Sequence, residues 1–170
     1  MTVRRRLVVV RHAKSAWDDE ALADHDRPLA PRGVRALDRM RAHVDGLELP
    51  ALVVLCSTAR RAVATFDGIR GALPDDAVVE RDRSIYAADA ATLLGRIRMI
   101  GDEFASAMIV GHNPALQDLV VDLVGSGDAE ARRRIAGKLP TGAIVNMSFE
   151  GHWRDLAPGS CSLDDLFTPR

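Results

Sequence analysis

The chain has 170 residues, 47% hydrophobic and 28% charged, with a formal net charge of −1. Those values fit one globular domain over 1–170 with an ordinary core, and they exclude a general electrostatic pull toward nucleic acid or membrane. Two cysteines, Cys56 and Cys161, are too few for a disulfide framework, so a reducing cytoplasm is the expected compartment.

The N-terminus reads MTVRRRLVVVRH. Its apolar run is too short for a signal-peptide core and is broken by Arg11. No stretch approaches the ~18–20 apolar residues of a membrane-crossing helix. Arg4 to Arg6 are expected to be solvated arginines leading into a buried strand, Leu7–Val10. Ala30–Asp45 places Val34, Leu37, Met40, Ala42 and Val44 mostly along one helical stripe. Ala51–Cys56 reads as a second apolar strand. Thr58–Leu73 is helical up to the Pro74-Asp75-Asp76 cluster. Val78–Val79 suggests a short strand, and Ala88–Ile100 a helix with Leu93, Leu94, Ile97 and Ile100 toward the core. Ala107–Val110 is a third strong strand. A helix over Pro114–Val124 follows, with Pro114 suited to its first turn. Asp128–Ile135 reads as a short Arg-rich helix and Ala143–Phe149 as a closing strand. Continuous apolar strands alternating with helices predict an α/β fold, a three-layer α/β/α sandwich with a mainly parallel central sheet.

In such sheets ligands bind beyond the carboxyl ends of the strands. The residues there are Arg11-His12, then Ser57 to Arg61, then Gly111-His112-Asn113. A neutral histidine can act as a nucleophile and split one difficult step into two easier ones. Phosphoryl transfer suits it, because the transferring group spreads negative charge over three oxygens. Arginine binds those oxygens with a planar fork and stays charged. Nearby arginines also disfavour an imidazolium, which keeps His12 nucleophilic. A second histidine can donate to a developing oxyanion. The arginines supply the positive charge, so no metal or other cofactor is required. Each signal alone has a plain alternative. His12 could be a hydrogen-bonded surface histidine, Arg61 a solvated helix residue, and GHNP a helix start capped by Asn113.

Together these segments resemble the histidine phosphatase superfamily, the phosphoglycerate-mutase-like family. Arg11-His12-Ala13-Lys14-Ser15 is similar to its N-terminal RHG or RHA motif, and Ser57 to Thr65 (STARRAVAT) to its SPxxRAxxT stretch. Thr58 stands where proline is usual, and Arg61 rather than Arg60 aligns with the motif arginine. Gly111-His112-Asn113-Pro114 matches the later GHNP form. RHAKSAW, DRPLAPRG (Asp26–Gly33), LPTGAIV (Leu139–Val145) and the terminal Trp153 and Leu166–Pro169 resemble the short SixA-type branch, the phosphohistidine phosphatases. The resemblance implies that His12 accepts the phosphoryl group and that Arg11, Arg61 and His112 complete the pocket. Ser15, Ser57 and Asn113 add hydrogen bonds, and Lys14 either meets an acidic substrate or is a solvated loop lysine.

One departure concerns the proton donor. Many members carry a carboxylic acid, often a Glu after a third strand, but the corresponding region here is Ser84-Ile85-Tyr86-Ala87-Ala88. Asp18, Asp19 and Asp26 are the nearby candidates, although Asp26 is better suited to pairing with Arg27 or Arg32 or to capping a turn than to catalysis. A missing acid matters most for an alkoxide leaving group and less for an imidazole. The expected substrate is therefore protein phosphohistidine, with small phosphomonoesters or phosphoanhydrides as the alternative and a non-catalytic phosphate-binding module as a third reading. Residues 16–30 leave little chain for a lid, which suits an open hydrolytic site. No GxGxxG or GxxxxGK[ST] follows Leu7–Val10, which argues against a nucleotide-binding domain.

Overall fold

The computed structural model describes residues 2–170. A seven-stranded sheet runs through it in the order β3-β2-β4-β1-β6-β7-β5. The strands are β1 (Arg4–Arg11), β2 (Leu52–Ser57), β3 (Val78–Asp82), β4 (Ser106–Gly111), β5 (Val124–Gly127), β6 (Ile144–Glu150) and β7 (Cys161–Phe167). Four neighbouring pairs are parallel, while β6 runs antiparallel to both β1 and β7. The sheet is thus mainly parallel, as the sequence predicts.

Alternate residues of the central strands enter two separate cores. Val8, Val10, Val54 and Met108 pack with Met40, Phe66 and Ile69 of helices α1 (Pro31–Asp45) and α2 (Arg60–Ile69). Leu7, Val9, Leu55 and Ile109 pack on the opposite face with Leu93, Leu116 and Ile135. Those residues belong to α3 (Ala90–Arg98), α4 (Ala115–Leu123) and α5 (Ala129–Gly137). Both faces are covered, which explains why the strands read as unbroken apolar runs.

The structure departs from the sequence reading in several places. Strands β5 and β7 are not anticipated. The buried face of α1 carries Gly33, Met40 and Val44, while Val34 is 55% exposed and Ala42 also faces solvent. Arg5 is not solvated but 3% exposed. Its guanidinium donates to the carbonyls of Gly151 at 2.7 Å and Phe104 at 2.6 Å, and it pairs with Asp102 at 3.2 Å. The segments just after β6 and just before β4 offer Arg5 carbonyls that a linear reading cannot see. Both cysteines are buried and unpaired; burial pushes the Cys56 thiol to about 12 and Cys161 to about 11.

The chain's path creates a crevice. The helix after β1 covers one face of the sheet, and the helix after the adjacent β4 covers the other. The carboxyl ends of β1 and β4 therefore open between diverging connections, the switch point at which α/β sheets bind ligands.

Candidate active site

The register sets Arg11 opposite Gly111, so the next residues, His12 and His112, emerge side by side. Their rings lie 5.2 Å apart between centroids. The His12 N–H donates to the Gly111 carbonyl at 3.1 Å, fixing the two strand ends together. Strand β2, on the far side of β4, ends in Ser57, whose Oγ lies 2.7 Å from His112 Nε2. Three neighbouring strands thus deliver one cluster.

His12 Nδ1 lies 2.7 Å from the Ala13 carbonyl. A carbonyl only accepts, so Nδ1 carries the proton and the Nε2 lone pair is free. Burial, and then the charges of Arg61 and Arg11, lower His12 to about 4. Burial and the proximity of His12 and Arg61 lower His112 to about 3. Both rings are neutral at pH 7. Ser57 Oγ accepts from the Ala59 N–H at 3.2 Å, so its own proton is free to go to His112 Nε2. A Ser57 proton given to Nε2 places the His112 proton on Nδ1, which is buried without a partner among the described residues.

Arg61 is 8% exposed and turned toward the histidines, whereas Arg60 faces solvent. Thr65, one turn along α2, holds this arrangement. Its hydroxyl donates to the Arg61 carbonyl at 2.7 Å and accepts from the Ala13 N–H at 3.0 Å. Arg11 donates through Nη1 to the Leu139 carbonyl at 2.8 Å, and its Nε is buried and unpartnered among the described residues. Burial and the charge of Arg61 pull the Arg11 guanidinium below its ordinary value. Two guanidinium groups so close together, Arg11 with no carboxylate partner among the described residues, favour an incoming anion.

The remaining sequence candidates divide. Ser15 is buried and its backbone bridges Leu29. Lys14 is exposed in the same loop. Asn113 is not a free donor at the rim: it donates to the Leu139 carbonyl at 2.9 Å and accepts from the Gln117 N–H at 3.2 Å, so both ends of its amide are engaged. Helix α4 starts one residue after Pro114. Asp18 and Asp19 are exposed. Asp26 pairs with neither Arg27 nor Arg32; its carboxylate faces His25 at 3.6 Å. Among the described residues neither Asp18 nor Asp26 is paired or hydrogen-bonded to His12, Arg11, Arg61 or His112.

The acid at the site is Asp24, which the sequence reading overlooks. Its carboxylate accepts from Arg61 Nη2 at 3.0 Å and from the Tyr86 hydroxyl at 2.6 Å. Its carbonyl accepts from Arg61 Nη1 at 2.7 Å. The Tyr86 hydrogen bond, and then Arg61, hold its carboxyl below the usual range. Tyr86 stands in the segment where the family pattern expects an acid, and it recruits Asp24 from another loop. Its phenol is the only signal there, a half-buried hydroxyl able to donate to a nearby carboxylate. Thr58, in place of the usual proline, lies 2.8 Å from His25 Nε2 and ties that loop to α2. No group of three or more His, Cys, Asp or Glu among the described residues is placed to hold a metal ion.

A model of the histidine phosphatase superfamily (branch 1) matches residues 7–86. A Mycobacterium tuberculosis protein described only as uncharacterized is 38% identical over 169 residues, spanning 95% of this chain and 100% of its own. A proposed phosphohistidine phosphatase SixA from Nakamurella multipartitia superposes with a TM-score of 0.84 at 27% identity, covering 98% of this chain and 96% of its own. A proposed SixA from Agrobacterium tumefaciens gives 0.80 at 23% identity, over 97% of this chain and 98% of its own, and shows the shared fold alone.

Proposed function

Because this chain belongs to the histidine phosphatase superfamily and folds as its SixA-type members do, it is a phosphatase, and we propose that it works through a phospho-His12 intermediate, with protein phosphohistidine as substrate. The observation that carries this reading is the His12 ring. Its Nδ1–H is given to Ala13, so its Nε2 lone pair is free beside Arg11, Arg61 and His112.

Nε2 attacks phosphorus while the bond to the leaving imidazole breaks. That imidazole, protonated on its other ring nitrogen, departs as a neutral ring. Arg11 and Arg61 hold the equatorial oxygens, and His112 donates from Nδ1. Water then attacks the phospho-enzyme. The P–N electron pair returns to Nε2, and inorganic phosphate leaves with the water oxygen.

Asp24 is held ionised by Tyr86 and Arg61, which suits it to orienting Arg61 rather than to giving up a proton. A leaving group that needs no donated proton is therefore favoured, which includes phosphohistidine and, as a second reading, a phosphoanhydride. The test is turnover of a phosphohistidine peptide and an alkyl phosphate by wild type, His12→Ala and Asp24→Asn. His12→Ala is expected to abolish turnover and the phospho-enzyme. Turnover within tenfold of wild type overturns the nucleophile. A loss on Asp24→Asn confined to the alkyl phosphate makes Asp24 the acid and overturns the leaving-group argument.

A further inference from the structure

A cavity of about 570 Å³ opens beside the nucleophile loop. Lys14, Arg32, Arg35, Arg39, Lys138 and Arg170 line it, with no carboxylate side chain in its wall. Lys14 and Lys138 are the only lysines in the sequence, and both are here. Arg32, Arg35 and Arg39 fall at i, i+3 and i+7 on α1, one stripe of a single helix. Like charges at such spacing repel and destabilise a helix.

None of the six is in an ion pair among the described residues. Elsewhere arginines do find acids: Arg61 and Arg27 pair with Asp24, Arg96 with Glu80 and Asp82, and Arg5 with Asp102. In a chain of net charge −1, this is a local concentration of positive charge and not a basic surface. It is also concave and of a size that holds a small ligand.

His12, Arg11, Arg61 and His112 do not line it, but two of its walls adjoin the phosphate pocket along the chain. Lys14 is two residues from His12, a span of at most about 7 Å. Pro140 and Thr141 precede Gly142, whose N–H reaches the His12 carbonyl at 2.9 Å. We propose that the cavity holds the leaving side of a second class of substrate, a compact polyphosphate in which the phosphoryl group taken by His12 is joined to at least one further phosphate. The proposal rests on the phospho-His12 reaction and deepens its phosphoanhydride reading, with phosphate in the place of imidazole as leaving group. Nε2–P forms, the P–O anhydride bond breaks, and its electron pair stays on the departing phosphate oxygen. The cations neutralise that charge where an alkoxide would need an acid. Water then hydrolyses the phospho-enzyme as before.

Inorganic tripolyphosphate, p-nitrophenyl phosphate and inorganic phosphate test this without added metal. The wild type is compared with a Arg35→Gln, Arg39→Gln, Lys138→Gln protein, all three side chains being exposed. The triple substitution is expected to lower kcat/KM for tripolyphosphate at least tenfold more than for p-nitrophenyl phosphate. In a His12→Ala background, calorimetry is expected to find tripolyphosphate bound at least tenfold tighter than phosphate, with the difference lost when the three cations are removed. Equal binding of the two anions overturns the subsite, as does an unchanged kinetic ratio. Tripolyphosphate that binds but is not cleaved by a protein active on phosphohistidine peptide overturns the substrate class. Binding that meets the expectation in a protein whose turnover survives His12→Ala upholds the subsite and sinks only the nucleophile.

Discussion

His12 and Arg61 show how differently single residues declare themselves. The pair Arg11-His12 after an apolar run is visible in the sequence, and its position at a strand end follows from the pattern alone. Arg60 and Arg61 are adjacent and chemically identical, and only the motif alignment separates them before the helix is seen. The α2 geometry turns Arg61 inward to Asp24 and leaves Arg60 in solvent. Arg61→Ala is expected to cost at least ~10²-fold in kcat/KM, and Arg60→Ala no more than about threefold, both read with phosphohistidine peptide. The reverse order would place Arg60 in the pocket. Asp24 was illegible for a physical reason. It sits in an irregular loop with several other acids nearby, and nothing periodic marks which carboxylate meets the Tyr86 hydroxyl 62 residues away.

At the scale of elements, the strong strands were legible because burial on both faces leaves continuous apolar runs. Strands β5 and β7 lack that mark. β5 is VGSG, with two glycines that lower strand propensity. β7 carries Asp164 and Asp165 and meets β6 across a register shift between Asn146 and Met147. Helix α1 carries a constraint that its pattern also hides. A Cβ on Gly33 would lie 2.2 Å from the Lys14 carbonyl oxygen, in the loop that follows His12. Glycine to alanine inside a helix ordinarily stabilises by about 0.5–1 kcal/mol. Gly95 in α3, with nothing within 4 Å, is expected to behave that way. Gly33→Ala is expected to reverse the sign and destabilise by about 1–3 kcal/mol. Urea unfolding of the two variants checks the contrast; two stabilised proteins would show that the Lys14 loop moves freely.

For the whole molecule, the mainly parallel sheet could be read from the rhythm of elements, and so could the edge on which ligands bind. The spatial order of the strands could not, and it is that order which brings β1, β4 and β2 together. The same burial that makes the two histidines neutral couples the site to folding. The ordinary histidine value is 6.5, while His12 stands at about 4 and His112 at about 3. As pH falls through 6.5 the unfolded chain takes up protons that the folded pair refuses. Folding stability is therefore intact above 6.5 and is lost progressively as pH falls toward 4. Urea midpoints at pH 7, 5.5 and 4.5 are expected to fall in that order, and to fall less steeply for His12→Asn. Parallel slopes in the two proteins would mean that His12 titrates alike in both states.

The Gly142 amide adds a way to watch the site without chemistry. It is shared between the Arg11 and His12 carbonyls at 3.1 and 2.9 Å, while the Leu139 carbonyl receives both Arg11 and Asn113. A segment from beyond α5 thus latches the ends of β1 and β4, and that amide can exchange its hydrogen only when the latch opens. Its exchange rate is a clock for the integrity of the His12 mount. Orthovanadate is expected to slow that clock in the wild type; an amide that exchanges at the same rate with and without the oxyanion would uncouple the latch from the pocket.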